Sequence, residues 1–438
     1  MANYIQAPRG TLDVLPEKSY RWQYIESVIR NTAGLCGFHE IRFPTFEYTE
    51  LFSRGVGETT DVVQKEMYTF EDRGGRSVTL RPEGTASTVR SVLQNGLNNG
   101  PLPLKVFYKI TCFRGERPQA GRLREFNQFG AELFGAAGAA ADVEMINLAC
   151  LTFEALGLKD LRLEINSIGC ADCRKEYHKA LREYFTARRD NLCELCKDRL
   201  ERNPMRLLDC KNESCKETAK GAPKVLDYIC DDCRAHFNEV KTRLDSAGIK
   251  YIVNPSIVRG LDYYSRTVFE FIDESSGLTV CGGGRYDALV SILGGPELPA
   301  LGFGMGLERL LMVMEQQGCP FPEAPSRGIF FVPLGEAASY KSAELVRRLR
   351  AEGFAAEYEL VARSVKAQMK YADKLGFAYT IVLGDDELKA NKAVLKNMRT
   401  GEQKEMALDD GFVKAYYDAM LDETFAGLEE AVEGDVSK

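Results

Sequence analysis

Histidine is nearly missing from this 438-residue chain, which holds only His39, His178 and His236. Imidazole is the side chain most often used as a general base, so chemistry built on one has little to draw on. No apolar run nears the roughly 20 residues that cross a bilayer as a helix, which excludes a membrane-spanning helical protein. Positive charge is not in excess either. Lysine and arginine number 57 against 64 acids, a net charge of −7, so any RNA contact must rest on a local patch. Met1 to Gly10 has no cationic segment followed by an apolar run, so secretion is not expected and the cytoplasm is. There is no internal repeat and no low-complexity tract. Cysteine, by contrast, is plentiful. Thirteen of them without a secretory leader read as thiols or metal ligands in a reducing compartment.

The length predicts several domains, and composition divides the chain. In the first part, Arg21 to Thr32 reads as an amphipathic helix with Trp22, Ile25, Val28 and Ile29 on one face. Leu104 to Phe113 alternates as a half-buried strand, and Leu161, Leu163 and Ile165 mark another. Residues 170–249 form a charged, helix-prone insertion that carries eight of the cysteines. Strand signals return at Tyr251–Val253 and Thr267–Ile272, so 1–169 and 250–322 make one split core. Glu315 to Arg327, with Pro320, Pro322 and Pro325, is the expected linker. In residues 327–425, GIFFVPLG, a helical stretch near Tyr340–Glu352 and TIVLG alternate strand with helix, which predicts an α/β domain with a parallel sheet. Residues 426–438 are an acidic tail, expected to fray.

Four constellations carry chemistry. Arg114, Arg117, Arg122 and Arg124 fall within one turn after the Leu104–Phe113 strand. Guanidinium forks suit phosphate oxygens, and a hairpin lets several reach one polyanion. Gly302, Gly304 and Gly306 alternate along a strand and strip one face of side chains, so a flat ring can lie there; close packing on a helix is the other reading. Glu308 and Arg309 follow and place a cation beside that face. Val258-Arg259-Gly260-Leu261-Asp262-Tyr263-Tyr264 crowds donors, an acceptor and aromatic surface into one turn. Leu80-Arg81-Pro82-Glu83-Gly84-Thr85 sets a carboxylate and a hydroxyl in a rigid turn.

Taken together these motifs resemble the class II aminoacyl-tRNA synthetases. Phe-Arg-x-Glu in the arginine hairpin and Gly-x-Gly-x-Gly-x-Glu-Arg are similar to motifs 2 and 3 of that class. LRPEGT, RGLDYY, the opening APRGTLDVLP and CGGGRYD at Cys281–Asp287 narrow it to the histidyl-tRNA synthetases. SVKAQMKYADKLG, Ser364–Gly376, resembles their anticodon-binding domain. The resemblance implies an α+β catalytic domain, an antiparallel sheet with flanking helices, on a homodimer. It implies L-histidine, ATP with Mg2+, and tRNA(His) as partners, and no membrane. It implies that Arg114 and Arg259 are catalytic, gripping the α-phosphate, with Glu116 and Arg309 also binding ATP. Glu83 and Thr85 would hold the α-amino group of histidine. Gln128, Glu132, Tyr263 and Tyr264 would complete the pocket, with Glu132 and Tyr264 reading the imidazole. The alternative is the inactive paralog, a regulatory subunit of ATP phosphoribosyltransferase, which erodes the ATP-gripping residues and lacks the last domain.

The cysteines stand outside this resemblance. Cys170–Cys173, Cys193–Cys196 and Cys230–Cys233 are C-x-x-C pairs, and Cys210–Cys215 is a wider fourth. Eight thiolates fit two structural zinc sites of four sulfurs each; reduced thiols packed among helices are the other reading. If zinc binds, Cys170 and Cys173 are expected to join Cys230 and Cys233, because the two ends of the insertion return to one sheet.

Overall fold

The structure, a computed structural model, describes residues 4–57 and 60–421. The acidic tail 426–438 lies outside them. One compact unit ends at Pro322 and a second begins at Glu323.

The first unit opens with α1, Pro16–Leu35, whose proline sits in the first turn, where a missing N–H costs nothing. Ile25 and Ile29 face inward. Gly37, at φ 75°, takes the chain out of the helix towards β1, His39–Glu40. Next come β2, Phe46–Tyr48; α2, Thr49–Val56; β3, Tyr68–Glu71; and β4, Ser77–Leu80. These three strands form a small antiparallel sheet in the order β2-β4-β3. After α3, Thr85–Gln94, come the long hairpin strands β5, Leu104–Phe113, and β6, Glu125–Phe134. Then follow α4, Ala139–Ala155, and β7, Leu161–Ser167.

The insertion holds four helices: α5, Ala171–Thr186; α6, Glu194–Arg202; α7, Glu213–Lys220; and α8, Asp231–Ser246. The strand expected at Tyr251–Val253 shrinks to an exposed pair, β8, Ile252–Val253. The unit finishes with β9, Ser265–Asp273; β10, Thr279–Arg285; the short α9, Leu289–Ile292; β11, Ala300–Gly306; and α10, Leu307–Gln316. The expected linker therefore starts late, since Glu315 and Gln316 are still helical.

Eight strands make one sheet in the order β1-β5-β6-β11-β10-β9-β7-β8. The two outermost pairs are parallel and every pair between is antiparallel. Strand alternation gives the sheet two chemically different faces. Phe129, Ala131 and Leu133 of β6 join Phe303 and Met305 of β11 and Phe269 and Phe271 of β9 in a core with α1, α4, α8 and α10. Gln128, Glu132, Glu270 and the glycines of β11 are then left for the opposite face. That face carries the site.

The second unit contains β12, Ile329–Pro333; α11, Glu336–Ala351; β13, Ala356–Tyr358; α12, Val365–Leu375; β14, Tyr379–Leu383; α13, Asp385–Ala390; β15, Lys392–Asn397; and β16, Gln403–Ala407. The expected parallel sheet is mixed. In the order β13-β12-β14-β15-β16 the first three strands are parallel and the last two antiparallel. The added strands bury Ala393, Leu395 and Met406 while leaving Lys392, Val394, Lys404 and Glu405 exposed, a one-sided burial that an apolar-run search passes over.

Candidate active site

An open cleft of about 700 Å³ lies on the polar face, lined by Arg114, Glu116, Arg122, Gln128, Arg259, Glu270, Gly304, Gly306 and Arg309 among others. Arg114 leaves the end of β5 and donates through Nε to the Pro82 carbonyl at 2.9 Å, its guanidinium 5.3 Å from the centre of the Phe126 ring. Glu116 pairs with Arg122 at 3.1 Å. The four hairpin arginines do not converge as expected. Arg124 donates to the backbone carbonyls of Glu116 and Arg9, and Arg117 is exposed, leaving Arg114 and Arg122 on the cleft wall. Arg309 ties α10 to the β5–β6 turn and to the start of β10, donating to the carbonyls of Gly121 at 3.2 Å and Thr279 at 2.9 Å. Burial and the nearby Arg122 lower its proton affinity, Glu116 partly opposing.

Arg259 lies across β10. A Cβ added to Gly282 would come within 2.4 Å of its Nη1, so only glycine leaves room for the guanidinium. Nη1 donates to Glu270, whose other oxygen accepts from Thr279 Oγ1 at 3.1 Å. Burial resists the charge, but Glu270 and the Tyr264 phenol more than offset it and hold the guanidinium above its ordinary value. The sequence reading did not name Glu270. Its signal was a lone charge within Thr267–Ile272, an otherwise mostly apolar strand.

Behind the cleft the remaining residues form a closed knot. Glu83 caps α3, accepting from the backbone N–H of Thr85 at 2.7 Å and of Ala86 at 2.9 Å, although burial still raises its pKa. Glu132 is fully buried. Its Oε1 accepts from Thr85 Oγ1 at 2.8 Å and Tyr108 OH at 3.0 Å, and its Oε2 accepts from Tyr286 OH. Burial pushes its carboxyl up to about 8, against the pull of these three hydroxyls. A file of rings runs from Arg259 to this carboxyl. The guanidinium stands 5.6 Å from Tyr264, Tyr264 and Tyr263 are 4.7 Å apart, and Tyr263 and Tyr286 are 5.5 Å apart. Tyr108 and Tyr286 were missed. Tyr108 reads as one more inward strand residue, and Tyr286 stood unassigned within CGGGRYD.

The glycines of β11 do something other than expected at two positions. A Cβ on Gly302 would fall 1.6 Å from Glu132 Oε2, and one on Gly304 would fall 2.5 Å from Gln128 Nε2. The bare face is thus filled by the neighbouring strand's own polar side chains, and only Gly306 has open space before it. Of the residues expected at the site, Arg114, Glu116, Gln128, Arg259 and Arg309 line the cleft. Glu83, Thr85, Glu132, Tyr263 and Tyr264 are buried.

In the insertion, eight sulfurs gather into two tetrads, Cys170, Cys173, Cys230 and Cys233, and Cys193, Cys196, Cys210 and Cys215, each with its sulfurs within 4.8 Å of one another. All thirteen cysteines are free of disulfides. The Cys170–Cys173 and Cys193–Cys210 sulfurs are 3.5 and 3.9 Å apart. Four sulfurs about 2.3 Å from a tetrahedral metal would be about 3.8 Å apart. Cys170, Cys193 and Cys230 each occupy a helix N-cap, and the backbone N–H of Cys173 brings the Cys170 thiol down to about 7. Backbone N–H groups also point at sulfur, from Cys230 to Cys173 at 3.1 Å and from Cys193 to Cys215 at 3.2 Å.

The family model described as histidyl-tRNA synthetase matches residues 10–310, and that of an anticodon binding domain matches 329–414. A histidine–tRNA ligase of Acetivibrio thermocellus is 55% identical over 406 residues, 92% of this chain and 97% of that protein. One from Caldicellulosiruptor bescii is 52% identical over 408 residues, 93% of this chain and 97% of its own. The crystal structure of apo S. aureus histidyl-tRNA synthetase aligns with a TM-score of 0.80 at 38% identity, covering 94% of this chain and all of that one.

Proposed function

The chain belongs to the histidyl-tRNA synthetase family, and on that premise we propose how its residues divide the reaction. The activity is histidine–tRNA ligation. A carboxylate oxygen of L-histidine bonds to the α-phosphorus of ATP, the bond from that phosphorus to the bridging oxygen breaks, and diphosphate leaves. The ribose 3′-hydroxyl of the terminal adenosine of tRNA(His) then bonds to the histidyl carbonyl carbon, and AMP leaves. Mg2+ arrives with ATP and neutralises phosphate charge.

The observation that carries the assignment is three arginines on one cleft, Arg114, Arg259 and Arg309, backed by a buried carboxylate. Arg114 and Arg259 take the α-phosphate, where charge builds in the transition state. Fixed guanidinium groups need no reorganisation at that moment. Arg309 faces the outer phosphates, and Glu116 holds the nucleotide. Glu83 and Thr85 receive the α-amino group, with Gln128 beside it. Glu132, Tyr263 and Tyr264 receive the imidazole, whose N–H and bare nitrogen need an acceptor and a donor. An apolar isostere offers the pocket neither. ATP–diphosphate exchange measured across the amino acids tests this: exchange with histidine alone is expected, and exchange with none, or with another amino acid, overturns it.

Residues 327–425 serve tRNA. A chain ending near Pro325, if dimeric, keeps some exchange and loses most charging; full charging would refute the division. A homodimer in the cytoplasm is the working form. Phe46 and Tyr68 flank Leu80 while Tyr48 and Phe70 flank Val78, so four exposed rings share one face of the small sheet, a patch suited to a second copy. Zinc fills both sulfur tetrads as a structural ion, supported by their spacing and by the N–H groups aimed at sulfur. The regulatory paralog is the poorer reading, because no cleft arginine is lost.

A further inference from the structure

The insertion reaches the reaction centre through one loop. Val258–Tyr264 carries Arg259, Tyr263 and Tyr264, and the insertion holds it at several points. Arg174, next to Cys173, donates through Nη1 to the carbonyls of Tyr264 at 2.8 Å and Asp262 at 3.4 Å. Asn203 Nδ2 donates to Asp262 Oδ1 at 3.0 Å. Arg206 donates to the carbonyl of Gly260, the residue after Arg259, and stands 3.6 Å from Asp262 Oδ1. The acid of this loop, offered by sequence as a ligand acceptor, is thus engaged by the insertion.

Asn203 and Arg206 lie between Cys196 and Cys210, two members of one tetrad. That span consists of the end of α6 and a 3-10 turn at Pro204–Leu207, pieces too short to hold their own shape in water. Leu200, Met205 and Leu207 seat the span in the apolar core, and the sulfur tetrad ties its two ends together. The tetrad also borders the cleft, since Asp209 and Lys211 on either side of Cys210 line it. Arg199, in the same span, pairs with Asp61 at 2.5 Å and ties it to the core a second time.

We infer that the two tetrathiolate metal sites brace the Arg259–Tyr264 loop through Arg174, Asn203 and Arg206, with Arg206 the positioning residue that carries the order of the Cys193–Cys215 site to Arg259. This rests on the zinc reading above. The physical reason is preorganisation: a guanidinium aimed at developing charge works only while its backbone is held, and a shift of about 1 Å costs on the order of a hundredfold. Arg206 never touches substrate. It acts by fixing the carbonyl next to Arg259.

The test uses the full-length enzyme, with zinc measured by elemental analysis beside exchange kinetics. Arg206→Ala is expected to retain wild-type zinc and thermal midpoint and to lower kcat for histidine-dependent exchange by about tenfold, with the KM values for ATP and histidine changed much less. Arg206→Lys, which restores a donor, should recover most of the loss. Stripping metal from folded wild type with a strong chelator should lower kcat, and adding zinc should restore it. The same stripping should cost Arg206→Ala less, because the part of the loss carried by Arg206 is already taken while the Arg174 and Asn203 contacts remain. Wild-type kcat in Arg206→Ala, or equal losses on stripping in both proteins, overturns the bracing while leaving the zinc reading intact. Less than one zinc per chain in wild type prepared without chelator overturns both.

Discussion

The cleft and the knot behind it are built on the same sheet face but manage charge in opposite ways. In the cleft, Arg259 keeps its charge because Glu270 stands against it, and Arg114 is steered by a carbonyl and an aromatic ring rather than neutralised. In the knot, Glu132 has three hydroxyls and no cation among its bonded partners, and burial holds its carboxyl at about 8. On the division of roles proposed above, the first region meets a polyanion with fixed positive charge and the second a neutral ring with hydrogen bonds. Affinity for phosphate and choice of amino acid would then rest on different residues and different physics, and so be separable.

The largest effect is expected from removing charge in the cleft. Arg259→His should leave the thermal midpoint near wild type, because the guanidinium lies on the cleft wall against Glu270 and the face of Tyr264 rather than inside the apolar packing. It should lower kcat for exchange by at least tenfold, and by about a hundredfold if the loss is the usual ~3 kcal/mol for a catalytic charge contact. Near-wild-type exchange from the purified variant would remove Arg259 from the α-phosphate.

A smaller effect is expected from the knot. Glu132→Gln keeps shape and removes the titrating group, so histidine KM should rise more than kcat falls, with ATP KM little changed. The stability consequence has a definite sign. The folded chain holds a proton on Glu132 up to about 8, whereas the ordinary value is 4.5, so between those pH values the folded state binds more protons than the unfolded one. This group's contribution to stability therefore falls as pH rises through that window. Glu132→Gln should flatten that part of the profile and gain on wild type between pH 5 and 8 in thermal melts. Parallel profiles, or an unchanged histidine KM, would show that the carboxyl plays neither part.

How much of this could be read beforehand differs between the regions for a physical reason. The cleft residues sit in local motifs whose spacing is itself the signal, so Arg114, Arg259 and Arg309 could be named from sequence. The partners that tune them cannot. Glu270 pairs with Arg259 across a strand, and Tyr108 fits only because Gly84 and Gly130 both give it room, a Cβ on either falling within 2.3 Å of its ring. Tyr286 reaches Glu132 across 154 positions of chain. The insertion repeats the lesson. Its C-x-x-C pairs were plain, but nothing local announces that Arg206 reaches the carbonyl of Gly260. In the second unit, β12 and β14 were legible as apolar runs and the half-exposed β15 and β16 were not.

The finest test of the comparison deletes a single oxygen. Tyr286→Phe removes the only hydroxyl that Glu132 Oε2 accepts from among the described residues, while the ring can keep its edge contact with Tyr263. Burial then acts on the carboxyl with one fewer donor opposing it, so the pKa of Glu132 moves further up. A hydrogen bond of this kind is worth about 1 kcal/mol, so histidine KM at neutral pH should rise by roughly fivefold. The pH midpoint of the histidine KM profile should also move upward. Nothing in the cleft changes, so ATP KM and the response to Arg259→His should match those of wild type within error, the two substitutions adding in free energy. If Tyr286→Phe instead shifts ATP KM as much as histidine KM, the cleft and the knot are one coupled site, and the separation of phosphate binding from amino-acid choice fails.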